Sequence, residues 1–105
     1  MNTQFKKGIV ELCVLSLINN KDMYGFEVIE SLSTTIDVNE NTVYPILRRL
    51  TSQGYFDTYY EATTHGAPRK YYKMTNKGYA VFKENMQEWH TFLKGVNKIL
   101  GGNKQ

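Results

Sequence analysis

The chain has 105 residues, of which 41% are apolar and 22% charged, a composition typical of one folded domain and not of a disordered chain. Its longest nearly apolar run, residues 9–18, is about half of what spans a bilayer, and no secretory signal pattern is visible. The single cysteine, Cys13, excludes an intramolecular disulfide and fits a reducing compartment. We therefore expect a cytoplasmic protein without a membrane partner.

Charge is distributed unevenly along the chain. Residues 1–61 carry five Lys/Arg and eight Asp/Glu, a net charge of −3, whereas residues 62–105 carry eight Lys/Arg and two Asp/Glu, a net charge of +6. A basic excess in one region is typical of a protein that binds a polyanion. A solvated surface explains it equally well, so charge alone leaves the partner open.

Two helices are predicted in the first third of the chain. Residues 5–17 carry apolar residues at helical spacing and on the remaining faces, so this helix must be buried on more than one side or against another subunit. A second helix is predicted over 23–34, with Asp22 as its N-cap.

The third helix has the most regular pattern. Val43, Ile46, Leu47 and Leu50 form one apolar stripe. Asn39 and Asn41 both offer capping side chains; Pro45 is tolerated if the helix starts at Asn41 and would kink it if the helix starts at Asn39. Gly54 fits the C′ position that ends the helix.

Two strands, 55–61 and 69–75, are predicted from their Tyr, Phe and Thr content. The connection 62–68 is too long for a tight turn and contains His65, Gly66 and Pro68. We expect a two-stranded ribbon with a partly basic tip.

A long last helix is predicted from the N-cap Thr75 to about residue 100. Its apolar residues alternate at spacings of three and four, as in a helix that packs along a seam: Tyr79, Phe82, Met86, Trp89, Leu93, Val96 and Leu100. At roughly 37 Å it is longer than a small domain covers, which favours a dimerisation helix. The expected organisation is thus a main part at 1–74, the dimerisation helix at 75–100 in the same compact domain, and a flexible tail at 101–105.

Residues that would indicate catalysis are missing from the sequence. His65 and His90 stand in unrelated contexts, and Cys13 sits among aliphatic residues, where a thiol is more often a core residue than a nucleophile. No Cys/His cluster has zinc spacing, and no phosphate-binding or dinucleotide motif follows a strand. We expect no enzyme, no catalytic residue, no metal and no cofactor.

Three helices followed by a basic ribbon are the order of a winged helix-turn-helix module, in which one helix enters the major groove of DNA. On the third helix, the polar face opposite the apolar stripe would contact DNA through Asn41, Tyr44, Arg48, Arg49 and Ser52. On the ribbon, the corresponding residues are His65, Arg69, Lys70 and Lys73. Two alternatives stay open: either arginine could pair with nearby acids, and Tyr44 could belong to the core.

Several motifs give the chain a family resemblance. Residues 42–50 read TVYPILRRL and residues 68–72 read PRKYY, flanked by MYG at 23–25, GYF at 54–56, Thr75-x-x-Gly78 and Trp89. In these motifs, over residues 8 to about 93, the chain resembles the PadR-type transcriptional regulators, in their compact branch with a single C-terminal helix. It departs from the family pattern at Tyr55 and Phe56, where smaller aliphatic residues usually follow the glycine.

The resemblance implies a mainly α fold with a small β-ribbon: a winged helix-turn-helix plus a long C-terminal dimerisation helix. It implies a homodimeric repressor of operator DNA, joined through the first and last helices. Thr42, Tyr44, Pro45 and Arg48 fall on the family's recognition helix, and Arg69 and Lys70 at the return strand of the wing. Tyr71 and Tyr72 would pack the wing onto the helices.

The resemblance also implies an inducer, a small aromatic or hydrophobic ligand bound at the dimer interface. Trp89 matches a stacking position, with Leu12, Met86 and Leu93 around it. Leu93 stands where an acidic residue would recognise cationic compounds, which disfavours that ligand class. Two alternatives remain: Trp89 could simply pack the seam, and the protein could be a ligand-sensing or protein-interaction module that does not bind an operator.

Overall fold

The computed structural model describes residues 3–101, with side chains from Gly8 onward, so residues 102–105 of the predicted tail lie outside the described residues. The element order is α1 (Thr3–Asn20), β1 (Met23–Tyr24), α2 (Gly25–Ser33), α3 (Glu40–Ser52), β2 (Phe56–Glu61), β3 (Arg69–Met74) and α4 (Asn76–Ile99). Among the helices in this part of the chain, none combines the length and apolarity needed to cross a membrane. The predicted fold, mainly helical with a small β-structure and a long last helix, is confirmed.

Helix α1 forms the centre of the core. Val10, Val14, Leu15 and Ile18 are almost completely buried, and the helix contacts α2, α3, β3 and α4. A helix that is apolar on several faces needs several neighbours, and α1 has them within one chain.

Helix α2 begins later than predicted, and the predicted N-cap at Asp22 is wrong. Tyr24 is the N-cap, and its backbone N–H donates to the Glu27 carboxylate. Asp22 is engaged elsewhere, because its carboxylate accepts a hydrogen bond from the Tyr59 hydroxyl at 2.7 Å. Met23 and Tyr24, predicted as helical, form strand β1.

Both ends of α3 are fixed by local hydrogen bonds. The helix starts at Glu40, and the Asn39 side chain accepts from the backbone N–H of Asn41. At the other end Gly54, with φ of +84°, lets the N–H of Tyr55 reach the carbonyl oxygen of Leu50, the Schellman arrangement. The predicted role of Gly54 is confirmed.

The ribbon is part of a three-stranded antiparallel sheet in the order β1-β3-β2. Met23 pairs with Tyr72 and Tyr24 with Tyr71, so α2 starts from the edge of the wing. The two-stranded prediction missed β1 because two residues are too short to display a strand periodicity.

Helix α4 starts on the wing and extends beyond the core. Thr75 caps it by accepting from the N–H of Gly78, as predicted. Gly78 is buried, and a Cβ there would overlap the carbonyl oxygen of Tyr55. Of the predicted seam, Phe82 packs against the core, whereas Leu100 is 77% exposed. Met86, Trp89 and Val96 are half-buried, whereas Tyr79 and Leu93 are exposed, so the single chain leaves part of the seam uncovered.

Candidate nucleic-acid interface

Helix α3 divides into a buried and an exposed side. Val43, Ile46, Leu47 and Leu50 are buried. The opposite side is accessible. Of the predicted DNA-binding residues on this side, Thr42 is half-buried, and the others are exposed: Asn41, Tyr44, Pro45, Arg48 and Ser52. Tyr44 is 38% exposed, which excludes the alternative that it belongs to the core.

The exposed tyrosine is held in place by a glycine. Gly25, at the start of α2, is buried, and a Cβ at this position would come within 2.7 Å of Cε1 of the Tyr44 ring. The ring therefore lies directly on the α2 backbone, which fixes its direction while part of its surface remains accessible.

One face of the wing adjoins this side of α3. Burial raises the pKa of Tyr72, the nearby Tyr44 hydroxyl raises it further, and the positive charge of the Arg48 guanidinium lowers it, because both side chains lie near the Tyr72 hydroxyl. Tyr72 shares its sheet face with Lys70, whose ammonium lies 5.7 Å from the Tyr72 ring centroid. Tyr44, Arg48 and Lys70 thus all lie near the same wing residue, Tyr72.

Sequence reasoning missed Tyr60 in this surface. It pairs with Lys70 across the strands and is 69% exposed. Its alternation with Phe56 along β2 would have placed it on the same face, but only once the register with β3 was known.

The other face of the wing carries the remaining ribbon cations. Arg69 stacks over the Tyr24 ring, with its guanidinium carbon 4.6 Å from the ring centroid, and Lys73 is exposed. Tyr71, expected to pack the wing, stacks here on Tyr59 with centroids 5.5 Å apart. The predicted wing cations are therefore split between two faces, with Lys70 alone on the α3 side.

The face of the wing that carries Arg69 and Tyr71, here called its outer face, also carries Tyr59, whose pKa is strongly raised. The hydrogen bond to Asp22, burial and the negative charge of Asp22 together raise the pKa of Tyr59 to about 12. His65 lies exposed in the loop between the strands.

Arg49 has a different environment from its neighbour Arg48. Its Nη2 lies 2.7 Å from Oε2 of Glu11 on α1. The pairing of an arginine with a nearby acid, one of the two alternatives left open by the sequence, thus holds for Arg49.

A groove of about 400 Å³ lies between α1 and α4. It is lined by Gly8, Ile9, Leu12, Asn85, Glu88, Trp89 and Phe92. Of the four residues that the sequence predicts for a ligand site, Leu12 and Trp89 line this groove, and Met86 and Leu93 do not. Phe92, which lies outside the predicted seam, is 58% exposed and adds aromatic surface.

The family assignment follows from comparison with known proteins. The model of the transcriptional regulator PadR-like family matches residues 14–84. The chain belongs to this family.

Similar proteins agree with the assignment over nearly the full length. A PadR-like transcriptional regulator from Bacillus cereus is 32% identical, with a TM-score of 0.84 over 93% of this chain and 97% of that one. A PadR family transcriptional regulator from Eggerthella lenta is 35% identical, with a TM-score of 0.81 over 92% of this chain and 86% of that one. An uncharacterized protein of Lysinibacillus sphaericus is 32% identical, over 91% of this chain and 92% of its own length.

As a member of the PadR-like family, the protein is a transcriptional regulator with a winged helix-turn-helix fold, and its family is not one of enzymes. The family match begins inside α1 and ends in the first half of α4, so it covers α3 and the wing completely. The surface formed by Tyr44, Arg48, Tyr60 and Lys70 lies entirely within the matched residues.

Proposed function

We propose that this PadR-like protein is a homodimeric repressor that binds a pseudo-palindromic operator and is released by a small aromatic or hydrophobic ligand. In this proposal residues 1–74 bind DNA in the cytoplasm and residues 75–100 dimerise. The observation that carries it is the accessible surface shared by α3 and the wing, where Tyr44, Arg48 and Lys70 all lie near Tyr72.

The chemistry of this surface suits duplex DNA. The major groove admits one helix, and arginine, asparagine and tyrosine side chains donate hydrogen bonds to base edges and phosphates. We assign the recognition contacts to Asn41, Thr42, Tyr44, Pro45, Arg48 and Ser52. We assign the wing contacts to His65, Arg69, Lys70 and Lys73.

Dimerisation is supported by the uncovered apolar surface of α4. Phe92, Leu93, Ile99 and Leu100 are all exposed in the single chain, and exposed apolar side chains on one element are typical of a subunit interface. Two copies related by a twofold axis would direct two α3 helices at half-sites one helical turn, roughly 34 Å, apart.

Release by a ligand is supported by the groove between α1 and α4. Trp89 and Phe92 offer aromatic surface there, and Glu88 and Asn85 offer polar groups. A ligand in this groove would release DNA only by binding the arrangement that cannot bind the operator more tightly than the one that can.

A gel-shift assay on the promoter region of the protein's own gene tests the proposal. We expect a shift at low salt that an unrelated fragment of equal length does not reproduce. Replacing Arg48 or Lys70 by Ala should weaken binding and reduce the salt dependence by about one unit per lost phosphate contact. Absence of any shift would favour a ligand-sensing or protein-interaction module instead.

For the ligand, the lone tryptophan provides the assay. An inducer in the groove should quench Trp89 fluorescence over the same concentration range in which it releases DNA. An inducer that releases DNA and leaves this emission unchanged would place the ligand elsewhere.

A further inference from the structure

Two adjacent arginines of α3, Arg48 and Arg49, have different surroundings. Arg48 is exposed and lies near the hydroxyl of Tyr72 on the wing. Arg49 is turned about 100° further around the helix, and its guanidinium meets Glu11 on α1. One arginine thus faces the proposed DNA surface, and the next joins α3 to a core helix.

The pair between Arg49 and Glu11 has the geometry of a strong contact. Nη2 and Oε2 are 2.7 Å apart, and the side chains are 36% and 26% exposed. A short charge-assisted hydrogen bond that is partly sheltered from water is stronger than a fully exposed ion pair. It also spans 38 positions of sequence, so it ties together elements that no local interaction connects.

The hydrogen bond between Arg49 and Glu11 affects the orientation of α3 about its own axis. The apolar stripe of α3 packs the helix against the core, but the hydrophobic attraction itself is non-directional. The hydrogen bond from Arg49 to the Glu11 carboxylate on α1 restricts rotation of α3 about its axis, and such rotation would re-aim Tyr44 and Arg48.

We propose that Arg49 is a positioning residue, which acts through Glu11 to set the orientation of α3 toward DNA and does not itself contact DNA. This inference rests on the proposed function, because it concerns how the same helix binds the operator. It makes Glu11, an acidic residue on a core helix, a determinant of operator affinity.

Salt titrations of operator affinity separate a positioning role from a phosphate contact. The probe is the promoter fragment shifted by the wild-type protein, and affinity is measured by fluorescence anisotropy between about 50 and 200 mM salt. The slope of log K against log salt is negative, and a lost phosphate contact lowers its magnitude by about 0.9; below, the slope means this magnitude. A lost positioning contact lowers affinity and leaves the slope unchanged.

The decisive variant is Glu11→Gln, because the two roles predict opposite results. If Arg49 positions α3, Glu11→Gln weakens binding about three- to tenfold without a change of slope. If Arg49 binds phosphate, removing the competing carboxylate leaves affinity unchanged or increases it. Arg48→Gln is the matched control and should lower the slope.

Three further measurements exclude a general loss of structure. Affinities are compared at a temperature where melting curves show each variant fully folded, since losses through global unfolding vanish there. Arg49→Gln combined with Glu11→Gln should be no worse than either change alone, because both remove one interaction. Arg49→Lys should retain most of the affinity beside Glu11 but not in combination with Glu11→Gln.

Unchanged or tighter binding by Glu11→Gln, or a reduced slope for Arg49→Gln, would overturn the positioning role and leave the proposed function intact. Failure of the wild-type protein to bind the fragment, or an unchanged slope for Arg48→Gln, would instead contradict the proposed function and this inference with it.

Discussion

At the scale of single residues, the accessible surface of α3 depends on the absence of a side chain at position 25. Tyr44 is both partly packed and partly exposed, and it owes this to direct contact with the α2 backbone at Gly25. Because glycine has no Cβ, the ring can approach the backbone closely, and a side chain at this position would have to displace it.

Replacing this glycine should therefore affect DNA binding more than folding. In Gly25→Ala the new Cβ would lie 2.7 Å from Tyr44 Cε1, so the ring must move away. We expect operator affinity to fall about tenfold, equivalent to about 1.4 kcal/mol, in anisotropy titrations. Gly95→Ala is the control, because a Cβ there has no neighbour within 4 Å; an equal loss in both variants would refute the role of Gly25.

A second prediction at this scale concerns the outer face of the wing. The raised pKa of Tyr59, about 12, arises mainly from its hydrogen bond to Asp22. The fold therefore favours the protonated phenol: the associated stability is complete below the ordinary pKa of about 10 and is lost as the pH rises toward 12.

Carbon-13 NMR of labelled tyrosine Cζ atoms would follow this titration. In the wild-type protein the Tyr59 resonance, assigned with Tyr59→Phe, should titrate near 12. In Asp22→Asn its pKa should move back toward the ordinary value. A Tyr59 that titrates at the ordinary tyrosine pKa of about 10 in the wild-type protein would contradict the hydrogen bond.

At the scale of elements, α4 is joined to the wing at a very close contact. The N-cap Thr75 donates its hydroxyl to Gly54 and Tyr55 carbonyl oxygens, and Gly78 lies directly against the Tyr55 carbonyl. The turn that ends α3 and the turn that starts α4 are thus one packed unit.

This contact predicts a difference between two glycines of the same helix. Gly78→Ala should lower the free energy of unfolding by about 1–3 kcal/mol, because the Cβ forces the two turns apart. Gly95→Ala should raise it by up to about 1 kcal/mol through helix propensity. Urea denaturation measures both, and equal effects of the two changes would show that the junction has room.

The apolar stripe and the ends of the helices were largely predictable from the sequence, because each depends on residues close together in the chain. The stripe of α3, the αL role of Gly54 and the cap at Thr75 depend on residues within a few positions of each other. Strand β1 and the Asp22–Tyr59 hydrogen bond depend on residues 37 or more positions away. Local patterns could not reveal them, and Asp22 was therefore assigned to a helix cap.

The candidate site shows the same division. Tyr44 and Arg48 could be identified as exposed from the helical period of their own segment. The pairing of Arg49 with Glu11 and the exposure of Tyr60 beside Lys70 follow from tertiary packing and strand register. Sequence therefore predicted which side of α3 is exposed, but it did not distinguish the two arginines.

At the scale of the whole molecule, the chain is elongated, with extents of 55 × 28 × 23 Å. The 24-residue α4 contributes to this shape, and several of its apolar side chains are exposed. The proposed dimer would cover this surface and pair the two α3 helices.

A charge in the seam should therefore separate the subunits. In Leu93→Glu we expect the dimer dissociation constant, measured by sedimentation equilibrium, to rise at least about tenfold, because a carboxylate would be buried without a partner. Operator affinity should fall as the dimer dissociates. Lys94→Glu, next to the seam, should leave the dimer nearly unchanged, and a wild-type protein that sediments as a monomer would contradict the proposed assembly.

Dimethyl sulfate footprinting of the operator tests the placement of α3 most directly. The reagent methylates guanine N7 in the major groove and adenine N3 in the minor groove. With α3 in the major groove, we expect N7 protection in two half-sites centred about one helical turn apart, lost at the same protein concentration with Arg48→Gln. Protection confined to N3, with every guanine N7 as reactive as in free DNA, would contradict the account.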